Sequence, residues 1–258
     1  MSNPHGTPIW YELITGDPDA AQAFYTQVVG WSVSSFGGTT IDGPGDYRIL
    51  SAADGQGIGG LMRTPAEAPP EPRWFGYIGV DDVDTAFAKV TEAGGSTLMP
   101  PTTLDGVGRL ALVADPQGAP FYLMRGESPE PSHAFDPKAE GHCTWHELTT
   151  GDDQAALTFY GEQFGWSRAG AMPMGEMGDY SFLALGDVTI GAVMRAPSGE
   201  RPSWQYYFRV GDIDAAHARI KAAGGIVHMG PMEVPGGDWI VVASDPQGAR
   251  FGLVGSKG

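Results

Sequence analysis

Two glutamates are the residues of this sequence best placed to do chemistry. Glu12 lies two residues after Trp10, and Glu147 lies two residues after Trp145. Side chains two residues apart on a strand point to the same face, so each carboxylate is predicted to share a cavity with a tryptophan ring. A carboxylate among aromatic rings must be paired or hydrogen-bonded, or its pKa rises. Such a group could bind a cationic or hydroxylated ligand, or act as a general base.

The two glutamates are predicted to differ in their partners. Arg209 lies on a predicted strand that faces the second cavity, so an ion pair between Glu147 and Arg209 is expected there. The equivalent of Arg209 in the first half is Gly79, which leaves Glu12 without that counter-ion. We therefore expect Glu12 to be the functional acid. The alternative is that Glu12 only accepts a hydrogen bond from the backbone or from a tyrosine such as Tyr77 or Tyr122.

Aromatic and polar side chains complete both predicted sites. The first site is predicted to contain Trp10, Phe75, Tyr77 and Tyr122. The second is predicted to contain Trp145, Gln205, Tyr207, Arg209 and Trp239. The rings could form a stacking surface for a flat or apolar ligand. The alternative is that they fill the interior as core, as they do in small barrels.

The histidines and the cysteine offer weaker candidates. His142 and His146 are four residues apart, which places two side chains on one face of a helix but not on one face of a strand. We therefore expect no metal at this pair. Cys143 is the only cysteine, and no nucleophilic triad can be assembled around it from the sequence.

A repeat explains why the candidate sites are duplicated. The pattern that begins at Trp10 begins again at Trp145, and the Asp-Pro-Gln-Gly-Ala segment at 115–119 returns at 245–249. A long unit repeated once indicates duplication of a globular domain rather than a solenoid. The predicted boundaries are 5–127 for the first domain, 128–139 for the linker and 140–256 for the second domain.

Helix signals and short apolar runs predict the elements that position these residues. Aspartates favourable for starting a helix precede four amphipathic stretches, at Asp17, Asp82, Asp152 and Asp212. The stretches between them are short, apolar and interrupted by glycine and proline, which is typical of strands. The Asp-Pro-Gln-Gly segments are predicted to be turns without a chemical role. The chain is therefore predicted to be an α+β protein.

Composition excludes several classes of function. The 258 residues are 41% hydrophobic, enough for two cores, and 31 acidic residues against 15 basic ones give a net charge of −16. This charge repels phosphate backbones and anionic headgroups, so we expect no nucleic-acid and no membrane partner. The absence of a signal-like segment and the single cysteine favour a cytoplasmic location.

The repeated motif also resembles a known superfamily. Each half carries Glu-Leu-x-Thr-x-Asp, then Phe-Tyr and Gly-Trp, and later Asp-Pro-x-Gly-Ala-x-Phe. This combination is similar to the vicinal oxygen chelate superfamily of glyoxalase I, bleomycin-resistance proteins and extradiol dioxygenases, and to its two-domain bacterial branch. The resemblance implies two tandem domains, each made of two βαβββ modules that form a cup-shaped antiparallel half-barrel. Because one chain then supplies both halves of each cup, we expect a monomer, with a dimer as the alternative.

The resemblance also implies where a divalent metal would bind. The superfamily's ligands are His, Gln or Glu, and the corresponding positions here are Trp10, Phe75 and Tyr122 in the first domain and Trp145, Gln205 and Gly252 in the second. One glutamine does not suffice for a divalent ion, which needs several converging ligands. We therefore expect no cofactor, with a divalent metal at another site as the alternative.

Two functions follow as hypotheses. The first is metal-independent binding of a small apolar or aromatic molecule, as the resemblance to resistance proteins implies. The second is an enzyme of lyase type, similar to lactoylglutathione lyase, or of hydroxylase or dioxygenase type. That enzyme would use Glu12, with Glu147 as the weaker candidate, or a metal site that the motif does not reveal. Fold alone does not separate binding from catalysis.

Overall fold

The computed structural model describes residues 3–37, 46–66, 69–197 and 199–258. The elements of the first repeat are β1 (Pro8–Thr15), α1 (Pro18–Val28), β2 (Ser32–Ser35), β3 (Arg48–Ser51), β4 (Gly57–Arg63), β5 (Arg73–Gly79), α2 (Val83–Glu92), β6 (Ser96–Leu104), β7 (Gly108–Ala114) and β8 (Pro120–Gly126). The elements of the second repeat are β9 (Cys143–Thr150), α3 (Asp153–Phe164), β10 (Ser167–Pro173), β11 (Asp179–Leu185), β12 (Val188–Arg195), β13 (Ser203–Asp212), α4 (Ile213–Ala222), β14 (Ile226–Glu233), β15 (Trp239–Ser244) and β16 (Arg250–Ser256). Each repeat therefore contains two modules in the order strand, helix and three strands.

Helices α1 to α4 begin where the sequence predicts them. The side chain preceding each helix accepts a hydrogen bond from a backbone N–H in the first turn, at 2.7 to 3.1 Å, and these residues are Asp17, Asp82, Asp152 and Asp212. A cap of this kind stabilises a helix by about 1 kcal/mol. Gly165 ends α3 with a φ of 72°, a conformation that glycine adopts without strain. Among the described residues, no helix is long and apolar enough to cross a membrane.

Two eight-stranded sheets follow the two repeats. Their strand orders are β2-β3-β4-β1-β5-β8-β7-β6 and β10-β11-β12-β9-β13-β16-β15-β14. The predicted α+β class with two tandem domains is confirmed. The strands are not all antiparallel, however, because the first and last strands of each module pair in parallel, as in β1 with β4 and β5 with β8. A helix and two further strands separate the members of each parallel pair along the chain, which leaves room for the crossover that parallel pairing needs.

Compact packing divides the chain in a different way from the repeat. The first compact unit comprises Met1–Ile9, Gly76–Ser132 and Trp145–Gln205. The second compact unit comprises Trp10–Phe75, His133–Thr144 and Tyr206–Gly258. Each unit thus takes most of one module from each repeat. The domain boundaries predicted from the sequence, 5–127 and 140–256, stay a prediction.

A glutamine joins the two repeats inside each unit. In the first unit, Gln117 donates to the carbonyl of Asp152 at 2.8 Å and accepts from the N–H of Asp152 at 2.7 Å. In the second unit, Gln247 makes the same two bonds to Asp17, at 2.8 and 2.7 Å. The Asp-Pro-Gln-Gly segments are turns, as predicted. Their glutamines also form hydrogen bonds to the residue that precedes a helix of the other repeat.

A buried tyrosine stands at the centre of the second unit's core. The hydroxyl of Tyr25 accepts from the indole N–H of Trp74 at 3.0 Å and donates to Asp245 at 3.3 Å. Burial, followed by the nearby Asp245 charge, raises the pKa of Tyr25 well above its ordinary value, so the phenol stays protonated. Burial also raises the pKa of Asp245.

The first unit repeats this arrangement. Tyr160 accepts from Trp204 at 3.1 Å and donates to Asp115 at 3.1 Å. The aromatic residues on α1 and α3 therefore belong to the core, as the sequence predicts. Their conserved spacing in both repeats serves packing rather than ligand binding.

Candidate functional site

Glu12 is held by a chain of hydrogen bonds that we call the Trp10 relay, formed by Trp10, Tyr47 and Glu12. The indole N–H of Trp10 donates to the hydroxyl of Tyr47 at 3.0 Å, and that hydroxyl donates to Oε2 of Glu12 at 3.0 Å. Glu12 is only 2% exposed. A buried carboxylate needs such donors, since burying it without them is unfavourable.

The second repeat builds the same chain, the Trp145 relay, from Trp145, Tyr180 and Glu147. The indole N–H of Trp145 donates to the hydroxyl of Tyr180 at 2.8 Å, and Tyr180 donates to Oε2 of Glu147 at 2.8 Å. Glu147 is half-buried. The expected placement of each tryptophan and glutamate on one face of a strand therefore produces a defined polar site in both repeats.

The relay tyrosines were not among the residues predicted from the sequence. Tyr47 directly precedes β3, and Tyr180 lies on β11, far along the chain from the glutamate that each one contacts. A signal was present, because Gly-Asp-Tyr occurs at 45–47 and again at 178–180. The repetition of this tripeptide in both halves could have identified them.

A glycine makes room for the first relay tyrosine. Gly60 lies opposite Glu12 in the pairing of β4 with β1. A Cβ atom on Gly60 would lie 1.9 Å from the hydroxyl oxygen of Tyr47, which no contact allows. Gly60 therefore leaves the space that the Tyr47 hydroxyl occupies. In the second repeat, Ala192 lies opposite Glu147.

Each relay fixes the orientation of a carboxylate beside an indole. The tyrosine hydroxyl has one proton, and it gives that proton to the glutamate while accepting from the tryptophan. An ionised carboxylate accepts hydrogen bonds at several positions, and the tyrosine uses one oxygen. The relay thus offers an apolar ring and an oriented acceptor to a ligand that carries a hydroxyl or ammonium group.

The tyrosines predicted for the two sites have different surroundings. In the first unit, Tyr77 and Tyr122 are buried and stacked, with ring centroids 4.2 Å apart and planes 10° apart. In the second unit, the ring of Tyr207 occupies the space next to Gly252, where a Cβ atom would lie 2.1 Å from the ring. Each ring packs against the neighbouring strand of its own sheet, which supports the core interpretation for Tyr77, Tyr122 and Tyr207.

Arg209 does not have the partner predicted from the sequence. Its guanidinium binds both carboxylate oxygens of Asp238. Glu147 accepts its hydrogen bond from Tyr180. The predicted ion pair between Glu147 and Arg209 is therefore wrong, because the turn before β15 places the Asp238 carboxylate on the guanidinium. The loss of 3 to 5 kcal/mol that breaking a buried pair can cause does not apply to Glu147.

Three further residues complete the predicted set. Phe75 is 7% exposed, and the guanidinium of Arg73 lies 6.0 Å from its ring centroid. Gln205 is half-buried on β13. Trp239 was predicted to share a face with Tyr207, but its register partner is Gly255, whereas the partner of Tyr207 is Gly252. Residues three apart on a strand point to opposite faces, so Trp239 lies on the other side of the sheet.

The histidines have structural partners. His142 is buried, with Nδ1 2.6 Å from the carbonyl oxygen of His133 and Nε2 3.0 Å from Asp54. Nδ1 of His146 lies 2.5 Å from the carbonyl oxygen of Ile190, which can only accept, so this nitrogen carries a proton. Burial lowers the pKa of His146 to about 4. Across the described ranges, no three His, Cys, Asp or Glu residues are grouped as a metal site would require.

Comparison with known protein families gives a match in both repeats. The family described as the Glyoxalase/Bleomycin resistance protein/Dioxygenase superfamily matches residues 8–123 and 141–253. The protein named "Putative glyoxylase CFP32" from Mycobacterium bovis is 33% identical over 252 residues, which cover 96% of this chain and 94% of the relative. The Anthracycline biosynthesis protein DnrV from Streptomyces peucetius is 31% identical, with 96% and 93% covered.

Solved structures with the same fold include a metal-bound protein. A Mn(II)-bound glyoxalase from Novosphingobium aromaticivorans has a TM-score of 0.65 at 19% identity, covering 99% of this chain and 84% of that one. The 2,3-dioxygenase LapB from Pseudomonas sp. KL28 has a TM-score of 0.68 at 13% identity, with 99% and 94% covered. The Mn(II)-bound neighbour contradicts the expectation of no cofactor. That expectation was based on the lack of the family's metal ligands in this chain, which does not exclude a metal bound by other residues. The fold is one that accommodates metal.

Of the positions that the resemblance assigns to metal ligands, only Gln205 carries an amide oxygen, and a single such ligand does not fit a divalent ion. Trp10 and Trp145 use their only polar atoms as donors to tyrosines, and Tyr122 stacks on Tyr77. Gly252 has no side chain, and its space is filled by Tyr207. A hard or borderline cation needs oxygen or imidazole ligands at these points.

Proposed function

The chain belongs to the glyoxalase/bleomycin resistance protein/dioxygenase superfamily, and we propose that it binds a small, largely aromatic molecule bearing a hydroxyl or amine group. Each relay would receive such a ligand. The ring would lie against Trp10 or Trp145, and the polar group would donate to Glu12 or Glu147.

The observation that carries this proposal is the repetition of the relay. A single tyrosine between a tryptophan and a glutamate could be a feature of packing. The same three residue types, with the same direction of donation, occur in both repeats at 2.8 to 3.0 Å. A buried acid contributes little to the stability of a core. Its presence in both copies after duplication therefore favours a functional role for the carboxylate.

The relatives support an aromatic ligand. DnrV is named as a protein of anthracycline biosynthesis. A flat hydroxylated ring system is the kind of molecule that an indole and a carboxylate recognise together.

Isothermal titration calorimetry with two matched probes tests this proposal. 2-Naphthol carries a hydroxyl donor, and 2-methoxynaphthalene has the same rings without the donor. We expect 2-naphthol to bind more tightly, and Glu12→Gln to weaken its binding by about fivefold. This equals about 1 kcal/mol, the difference between a hydrogen bond to a carboxylate and one to a neutral amide. Glu147→Gln serves as the matched variant at the other relay.

The outcome for the methoxy compound decides whether the carboxylate recognises the ligand. Binding of 2-methoxynaphthalene should be unchanged in Glu12→Gln. If both probes bind equally in the wild-type protein, or if neither variant weakens 2-naphthol, the relays do not bind a hydroxyl group and the proposal fails.

A glyoxalase-type reaction is the second candidate, favoured by the placement of a phenolic proton next to the Glu12 carboxylate. An acid and a base in contact can move a proton between carbon and oxygen of a substrate. The relative named as a glyoxylase makes this chemistry the first to assay. The assay follows the hemithioacetal of methylglyoxal and glutathione by absorbance, with and without added Mn(II), in wild type and Glu12→Gln. Elemental analysis of protein purified without chelator tests for a bound metal.

A further inference from the structure

The second compact unit contains a row of side chains that ends in a charge. The row crosses four neighbouring strands, and its members are Met232, Ile240, Val254 and Arg209, each directly opposite the next. Residues directly opposite each other in a sheet point to the same face. The row therefore presents three apolar side chains and one guanidinium on one face. Met232 at its edge is 44% exposed.

The guanidinium at the end of this row is only partly satisfied. Two nitrogens of Arg209 donate to the two oxygens of Asp238, a forked geometry suited to a carboxylate. The third nitrogen, Nε, is buried and has no hydrogen-bond partner within the described ranges. An unsatisfied buried donor is unfavourable, so the pair with Asp238 does not use the full capacity of the guanidinium.

The first repeat shows that the fold does not need this ion pair. The equivalent row, 130 residues earlier, is Thr102, Leu110, Met124 and Gly79. Gly79 replaces Arg209, and Gly108 stands where the second repeat has Asp238. The two charges are present together in one repeat and absent together in the other. The backbone register is the same in both.

Asp238 lies on a segment that can release it. Gly236 and Gly237 precede it with φ values of 107° and 89°, a conformation open to glycine, and glycine pairs leave the backbone many alternatives. The side chain of Asp238 is 35% exposed, whereas that of Arg209 is 18% exposed. The carboxylate is thus the accessible, exchangeable member of the pair.

We propose that Arg209 is the anchor of a binding site for an organic carboxylate with an apolar body, and that Asp238 occupies the anion position when no ligand is bound. The ligand carboxylate replaces that of Asp238 on the guanidinium fork. The apolar body lies along Ile240 and Met232. Strands are about 4.8 Å apart, so the row from Arg209 to Met232 spans about 14 Å, the length of a two-ring or three-ring acid.

Calorimetric titration with 2-naphthoate and 2-naphthamide tests this site. The two probes share rings and shape and differ in charge. We expect the wild-type protein to prefer 2-naphthoate. Asp238→Asn removes the competing carboxylate and should tighten 2-naphthoate binding about tenfold, which corresponds to about 1.4 kcal/mol. Arg209→Gln should abolish the preference for the acid over the amide.

A matched control shows whether tighter binding in Asp238→Asn comes from freeing Arg209 or from the change in net charge. Asp179→Asn removes one negative charge from an exposed pair with Arg168, so it alters the protein's charge equally. It should leave 2-naphthoate binding unchanged. Equal tightening in Asp179→Asn and Asp238→Asn would overturn the proposal, and so would an absence of preference for 2-naphthoate in the wild-type protein and in Asp238→Asn.

Two further measurements keep the test decisive. If Arg209→Gln does not fold, as judged by its melting curve, Arg209→Lys keeps the charge without the fork and should lose most of the preference. The Arg209 site and the relays are tested with different probes, 2-naphthoate for the first and 2-naphthol for the second. A failure of 2-naphthol binding with intact 2-naphthoate binding would therefore reject only the proposed function.

Discussion

The Trp10 relay and the Trp145 relay have the same hydrogen bonds at different depths. Glu12 is 2% exposed, whereas Glu147 is half-buried. A carboxylate far from water depends more on its protein donors than one that water can reach. Duplication has therefore preserved the polar geometry of the site and changed its energetics. The two relays should respond differently to the same substitution.

The residue between the tryptophan and the glutamate also differs. It is Tyr11 in the first repeat and His146 in the second, and both are buried on the strand face opposite the relay. Tyrosine is neutral over the whole physiological pH range, while histidine is not. The strand that carries the Trp145 relay should therefore be sensitive to acid.

The largest expected effect is loss of stability on acidification through His146. Burial lowers its folded-state pKa to about 4, below the ordinary value near 6.5. Above about pH 6.5 the His146 ring is neutral in both the folded and the unfolded state, and its contribution to stability is complete. As the pH falls towards 4, the unfolded state binds the proton first, and the free energy of unfolding falls by about 3 kcal/mol. Urea unfolding at about pH 7.5 and about pH 4.5 measures this loss.

Two variants show whether His146 is the cause. His146→Gln keeps a donor for the Ile190 carbonyl and cannot titrate, so it should reduce the loss between the two pH values by about 3 kcal/mol. His228→Gln replaces an exposed histidine and should keep the wild-type loss. Equal pH dependence in wild type and His146→Gln would contradict the assignment.

The next effect comes from removing the relay hydroxyls. Tyr47→Phe deprives the buried Glu12 carboxylate of a donor and should lower the free energy of unfolding by about 2 kcal/mol, the range for hydrogen bonds to charged groups. Tyr180→Phe should cost about 1 kcal/mol, because water can replace the hydroxyl at the half-buried Glu147. Urea denaturation of both variants gives the two values. A larger loss in Tyr180→Phe would reverse the proposed order of the relays.

The sequence predicted much of the fold because its signals are local. Aspartate caps mark all four helix starts, and alternation along β1 and β9 places each tryptophan with its glutamate. What the sequence did not predict depends on contacts distant in the chain. Tyr47 reaches Glu12 from 35 residues away, and Gln247 reaches Asp17 from 230 residues away.

The wrong partner for Arg209 has a similar origin. The alternation of side chains along β13 correctly predicts the face on which the Arg209 guanidinium lies. It does not predict which loop covers that face. Asp238 lies in a glycine-rich turn just before β15, two strands after the strand that carries Arg209. A turn has no periodic pattern from which this contact could be predicted. Loop conformation follows from packing and is not encoded in spacing.

A smaller effect is expected at the tryptophans. Trp10→Phe and Trp145→Phe each remove one neutral indole donor and keep an aromatic ring. Each should cost about 1 kcal/mol, since a neutral hydrogen bond contributes about that much. The two losses should agree within about 0.5 kcal/mol, because the acceptor in both relays is a tyrosine hydroxyl that can find water. Thermal or urea unfolding of the pair measures the difference, and a loss confined to one variant would show that the relays differ at the indole as well.

The smallest expected effect is that of Glu147→Gln. If Glu147 neutralised Arg209, this variant would leave a charge unpaired and destabilise the protein by several kcal/mol. Arg209 is instead bound by Asp238, and the amide oxygen of glutamine can still accept from Tyr180. The half-buried amide N–H₂ group can reach solvent, so the free energy of unfolding should change by less than about 0.5 kcal/mol. Asp238→Asn, which weakens the ion pair itself, should destabilise more than Glu147→Gln in the same urea experiment. The reverse order would mean that Glu147 supports Arg209 after all, and that the two relays differ in their counter-ions as well as in their depth.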